Sequence, residues 1–324
     1  MNNKTAVAKK RNINVHSVAI YIGAVLIFVI FAILCAASGK NFVSWQNISN
    51  IIVQSSVIAI IAIGASFVIL TGGIDLSVGS IVGFTGIISG LCMQAGMPVV
   101  GSLLIGVVCG TALGLANGIV ISYGKVPPFI MTLGMLSIGR GMTLAVVEGM
   151  PIAGFPLELA GFANTNVFGV IPIFIIYVII AYFIMVIVAN KTKFGRHVYA
   201  VGGNRNAAHL SGIKTKRIEM MVYVLAALFG AIGGIMLLSR LSYASPTAGD
   251  GYELDAIAAV VIGGISLSGG QGKVINTLVG ALILGILKCG LQMLNVSSYF
   301  QQIATGLVIV VAVFMDKAKD RKAE

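Results

Sequence analysis

Charge is what this sequence has least of. Of its 324 residues only 10% are Asp, Glu, Lys or Arg, while 58% are apolar, and a water-soluble globule of this size needs about 25% charged residues to clothe its surface. Acid is scarcer still, at ten residues against 21 basic ones. The three histidines, His16, His197 and His209, are scattered and loop-borne, so neither a metal centre nor acid–base catalysis is expected of them. Cys35, Cys92, Cys109 and Cys289 all fall in apolar stretches without metal-ligand spacing, and they offer no disulfide framework. The pairs Gly39-Lys40, Gly124-Lys125 and Gly272-Lys273 are followed by Asn or Val, so no G-x-x-x-x-G-K-[ST] phosphate loop is present and this chain is not an ATPase. The net charge of +11 comes without the aromatic-interleaved basic face of a nucleic-acid binder.

What is present is hydrophobic length. The segments 17–39, 41–74, 76–124 and 159–190 carry no charge at all, and each reaches or exceeds the roughly 20 residues that a helix needs to cross hydrocarbon. They are apolar all round, unlike the alternating strands of about 10 residues in a membrane barrel. The expected class is an all-α integral membrane protein embedded in the bilayer. Breaks at charges, Gly/Pro turns and polar clusters predict about ten transmembrane helices, near 17–38, 48–71, 77–95, 98–121, 127–147, 168–190, 219–240, 254–269, 274–294 and 299–315. The run after Lys9, Lys10 and Arg11 is longer than a signal-peptide core and reads as a retained first span. The division is a 1–16 tail, a 17–315 membrane domain with a polar loop at 191–218, and a 316–324 tail. With the N-terminus inside, 17 of the 21 basic residues face the cytoplasm, the asymmetry expected of inner loops. Both termini are therefore expected on the cytoplasmic side.

Spans 77–95 and 254–269 are short and glycine-rich, as discontinuous or enclosed helices are. Residues 74–90 (IDLSVGSIVGFTGIISG) can be set beside 253–269 (ELDAIAAVVIGGISLSG), and 98–106 beside 273–281. One copy enters its span from inside and the other from outside, so the repeat is expected to be inverted. Gly106, Gly110, Gly114 and Gly118 recur every fourth residue and give one helix a face without side chains, for close packing or for sliding.

Three strings, TGGIDLSVGS (71–80), GRHVYAVGGNRNAAHLSGI (195–213) and PTAGDGYELDAIAAVVIGGISLSGGQG (246–272), resemble the permeases of bacterial ATP-binding-cassette sugar importers, and more narrowly the ribose-type permeases of the second class of carbohydrate uptake transporters. The likeness runs from about the second span to the C-terminus. It implies a homodimer in the cytoplasmic (inner) membrane, a vitamin-B12-importer-like fold, a partner ATPase that binds the ATP and Mg, and an extracytoplasmic sugar-binding protein. No cofactor is implied for this chain. Ribose is the cargo implied, with xylose, galactose, a furanose or an autoinducer-type sugar open. The rival class is an ion-coupled secondary transporter, which would need carboxylates inside its spans, and no acidic residue falls deep inside a predicted span.

Candidate residues follow. In the 191–218 loop, Asn204 is placed to cap a short helix, Arg205 to Ser211, ended by Gly212. Ala207, Leu210 and Ser211 share one face of it, suited to a groove on a cytoplasmic partner, while the basic residues around it could instead attach to anionic headgroups. The resemblance makes this the element coupled to the ATPase, with Arg196, Arg205 and Arg217 at its rim. It also places the segment 245–253, with Asp250, Glu253 and the adjoining Asp255, where the binding protein docks or an outer gate lies. Asp75 reads as an N-cap or first-turn acid, or as an inner gate or partner contact. Arg140 lies within a span and either lines the translocation path or pairs with carbonyls or Glu148. Lys288 is expected to snorkel outward, and Asn117, Gln292 and Tyr299 are further candidates for the path.

Overall fold

The computed structural model describes residues 15–323, with side chains from 19 to 314. Residues 1–14 of the expected N-terminal tail and Glu324 lie outside the described residues. The chain is 75% helical. Its helices are α1 Val15–Ala37, α2 Trp45–Leu70, α3 Val78–Gln94, α4 Val99–Ser122, α5 Pro128–Val146, α6 Leu157–Asn164, α7 Phe174–Lys191, α8 Lys193–Gly203, α9 Arg205–Leu210, α10 Thr215–Leu241, α11 Tyr252–Ile262, α12 Thr277–Met293 and α13 Ser298–Ala323. A two-residue hairpin, β1 Asn166–Val167 with β2 Ile171–Pro172, precedes α7.

Every predicted span coincides with a helix, but the helices differ in length. Among the described residues seven are long and apolar enough to cross a membrane, α3 and the apolar part of α13 are shorter, and α11, at 11 residues, covers only about 16 Å. The predicted 254–269 span is cut at Gly263, after which the chain turns through Gly264, Gly269, Gly270 and Gly272, all with positive φ. That conformation disfavours side chains. Residues 157–164 and 193–203 form two helices that no predicted span contains, and α13 continues past the expected boundary at 315.

The centre is α2 packed antiparallel on α10. The α2 window is 83% buried, against 22–28% for α1, α4, α5 and α7, so α2 is the enclosed helix and those four form the outer wall. Their outward faces are apolar, as lipid or a partner subunit requires. Close approach comes from glycine. A Cβ on Gly64 would lie 2.6 Å from the Ala226 Cα. The predicted glycine face of α4 is used in full: Gly106 and Gly110 meet Ser89 and Thr85 of α3, while Gly114 and Gly118 meet Ala227 and Met220 of α10.

Candidate functional site

Two connections do not stay at the surface. Val78, the first residue of α3, packs on Gly230 and Val82 on Gly234, near the middle of the long α10. The chain leaving α2 at Leu70 therefore climbs back into the molecule before α3 starts. From the opposite end, the segment after Leu241 descends until Gly249 lies against Gly79 and Val82, and Pro246 and Ala248 reach Gly83. Then α11 runs away from α3, meeting α12 at Gly263 against Thr277 and Ala259 against Gly280. Two half-helices thus point in opposite directions with their N-terminal ends adjoining inside the protein, and a Cβ on Gly79 would strike the Glu253 carboxylate.

The charges collect around this junction. Arg140 on α5 donates from Nη1 to Pro246 O (2.6 Å) and Ala248 O (3.0 Å), pinning the descending segment. Its other terminal nitrogen, Nη2, and Glu253 Oε2 are both buried without a partner. Of the two alternatives for Arg140, carbonyl pairing is found, though with a re-entrant loop rather than with Glu148. Glu253 is 8% exposed and Asp255 2%, and Asp255 forms a salt bridge with Lys288. Lys288 therefore does not snorkel outward; its charge turns inward because the short α11 brings an acid within reach. Only Asp250 of the three acids is exposed, beside Leu254 at 46%. The segment read as an outer loop is a re-entrant one, so Glu253 and Asp255 are interior charges in this conformation.

Asp75 is also interior, at 3% exposure. Its Oδ1 accepts from Ser77 N (2.8 Å) and Ser77 Oγ (2.6 Å), so Ser77, not Asp75, takes the N-cap position of α3. Asn117 is wholly buried and donates from Nδ2 to Ser77 Oγ (2.8 Å); it belongs to this cluster and not to an open surface. Gln292 accepts from Gln54 (3.1 Å) and Tyr299 is 81% exposed. Asp75, Glu253 and Asp255 are all interior, although none lies deep inside a predicted span: their burial comes from the re-entrant connections that flank those spans. Composition cannot reveal it, since re-entry is set by packing of Gly79, Gly83 and Gly249.

At the end of the molecule where α2 finishes, α8 and α9 form a platform. Gly202 abuts Leu70 O, and Gly270 N donates to the same carbonyl (2.9 Å), so the platform joins the core where both half-helix connections meet. Val198, Val201 and Ala208 are the buried anchors. The Asn204 side chain caps α9 by accepting from Ala207 N (2.9 Å), and Gly212 follows with φ +84°. Leu210 is 87% exposed, with Ala207 and Ser211 exposed beside it. Arg205 is not free, since Glu219 holds it through both carboxylate oxygens and raises its pKa through that bond. Arg196 remains exposed.

Oppositely directed half-helices meeting within a bundle of apolar spans are the architecture of a membrane permease. The comparisons with known proteins give the family. Residues 47–313 match the family described as "Branched-chain amino acid transport system / permease component", and the chain belongs to it. It is similar to the ribose import permease protein RbsC of Bacillus subtilis (strain 168), 41% identical over 313 residues that cover 96% of this chain and 97% of the relative. RbsC of Escherichia coli (strain K12) is 42% identical over 302 residues, 91% and 92% of the two chains. The D-allose transport system permease protein AlsC of the same organism is 37% identical over 293 residues, 90% of each. No solved structure matches. The chain is a multi-pass membrane permease, and its work is passage through the membrane, not covalent chemistry.

Proposed function

We propose that this chain is the membrane-spanning subunit of an ATP-driven importer for ribose, working as a homodimer with a separate ATPase and an extracytoplasmic binding protein. The observation that carries the cargo is the identity to two ribose import permeases over nine tenths or more of the chain, above that to the D-allose permease. The breadth of the family, whose description names branched-chain amino acids, argues for the fold and not for the cargo. The sugar passes along the exposed side of the 245–251 segment, by Asp250 and the Arg140 clamp. Support comes from physics: irregular backbone at membrane depth is tolerated only inside protein or along water. The opposed α3 and α11 support an inverted repeat within ten core helices, laid out as in vitamin-B12-type importers. The α9 face docks into the ATPase, supported by an exposed leucine on a capped helix with nothing else against it. Both termini and α8–α9 lie in the cytoplasm, as the basic residues of the 191–218 loop support.

The test is uptake. In proteoliposomes holding this chain with its neighbour-encoded ATPase and binding protein, ribose should accumulate only with ATP inside the ATPase compartment. Accumulation driven by an ion gradient without the ATPase would replace this reading with the secondary-transporter one, and uptake of allose or galactose in preference to ribose would change the cargo.

A further inference from the structure

The polar cluster before α3 lacks a hydrogen. Ser77 Oγ donates to Asp75 Oδ1 and accepts from Asn117 Nδ2, which leaves Asp75 Oδ2 and Asn117 Oδ1 as the two ends. Both are acceptors, both are buried, and neither has a partner. The surroundings supply no counter-charge. Thr132 of α5 bonds to Ile74 O (3.3 Å). Val68 of α2 and the Tyr223 hydroxyl of α10 lie against Gly73. Tyr223 is the titratable neighbour; Glu219, one turn back along α10, is taken by Arg205. Among the described residues no Lys or Arg forms an ion pair with Asp75. A carboxylate in this position gives up its hydration for no cation, and each acceptor left without a donor adds its own desolvation cost. One proton on Oδ2 cancels the charge and turns an acceptor into an O–H donor.

We propose that Asp75 is a proton-binding site, held as a neutral acid in this conformation, its proton being the donor that the Asp75–Ser77–Asn117 cluster lacks. The loop 71–77 that carries it follows Leu70, whose carbonyl meets both Gly202 of the platform and Gly270. Proton occupancy is thereby tied to the loop that continues from the seat of α8 at Leu70, and an importer built this way carries a pH dependence of its own.

The experiment uses the full chain in lipid. Infrared spectra at neutral pH should contain the C=O stretch of a protonated carboxylic acid that moves on labelling with aspartate carrying carbon-13 in its carboxyl group and vanishes in Asp75→Asn. The parent's melting temperature should fall as pH rises from about 5 to about 8, because an acid whose pKa is higher folded than unfolded loses its stabilising protonation over that range. Asp75→Asn, which offers N–H where the acid offers O–H, should melt with a weaker pH dependence than the parent over this range and at least as high as the parent at the alkaline end, while Asp75→Ala melts lower throughout. If Asp75→Asn does not fold, the labelled parent spectrum alone decides. No protonated aspartate band in the parent would overturn the proposal. So would a melting temperature that rises with sodium or potassium at fixed pH and ionic strength, which would put a cation between the two acceptors.

Discussion

At the scale of single residues, two arrangements of charge around the junction can be tested, an ion pair and a clamp. Lys288 and Asp255 form the pair, with side chains 24% and 4% exposed. Breaking a buried pair from one side costs about 3–5 kcal/mol, whereas replacing both members with apolar groups is often neutral. Lys288→Met should therefore lower the melting temperature sharply, and Lys288→Met with Asp255→Leu should recover most of the loss. A double variant no better than the single one would show that the pair is not the main partner of either group. Arg140 is the clamp. Its two bonds to Pro246 and Ala248 are charge-assisted, worth about 1.5–3 kcal/mol each, and Arg140→Gln lacks both the positive charge and the reach of the longer side chain. Uptake in proteoliposomes should fall about tenfold or more, with insertion and ATPase binding kept; parental uptake would remove Arg140 from the path.

Among the elements, α9 is the one proposed to couple the permease to its ATPase. Six residues are too few to hold a helix alone, so the Asn204 cap and the buried Ala208 position it and leave Leu210 for a partner. Burying a leucine is worth about 1.5–3 kcal/mol, and a carboxylate in the same groove adds a penalty. Leu210→Asp should abolish pull-down of the ATPase and uptake while leaving an inserted, folded permease, and Leu210→Met should be nearly silent. If Leu210→Asp transports like its parent, α9 is not the coupling element; Val198 and Val201, the next residues along, are buried and cannot take its place. This helix was legible in advance, because a capping Asn, a glycine stop and the lone leucine between them are local signals. So were the apolar spans, since charge-free runs have few alternatives. The re-entry of 71–77 and 242–251 was not. Ser245, Thr247, Gly249 and Asp250 have the composition of any surface turn, and their depth comes from where Gly79 and Gly83 let them pack.

For the whole molecule, one exposed carboxylate forces a conclusion about what surrounds it. Gly249 is packed on the first turns of α3, near the middle of α10, and Asp250 beside it is exposed. A bare carboxylate facing hydrocarbon at that depth costs at least about 2.5 kcal/mol even on the lenient insertion scale, and the turn's unpaired backbone groups add to it. Water must therefore reach Asp250, yet the outer wall of one protomer is apolar on α1, α4, α5, α7 and α13. A second copy opposing the same face would enclose a wet lumen between two such segments, and closed two-fold pairing is the commonest way to do so. Mass measurement in lipid discs should give a dimer. With the four native cysteines replaced, Leu254→Cys should react with a small permeant thiol reagent, as a residue on an aqueous path does, and ribose supplied by the binding protein should slow that reaction. Asp250→Leu should bring out the opposite limit, a dimer that still assembles but passes sugar slowly because its lumen has lost its wetting charge. A monomer that sustains ATP-driven uptake with its partners, or a Leu254→Cys thiol silent to the permeant reagent, would place the path elsewhere and leave Asp250 to be wetted by some other opening.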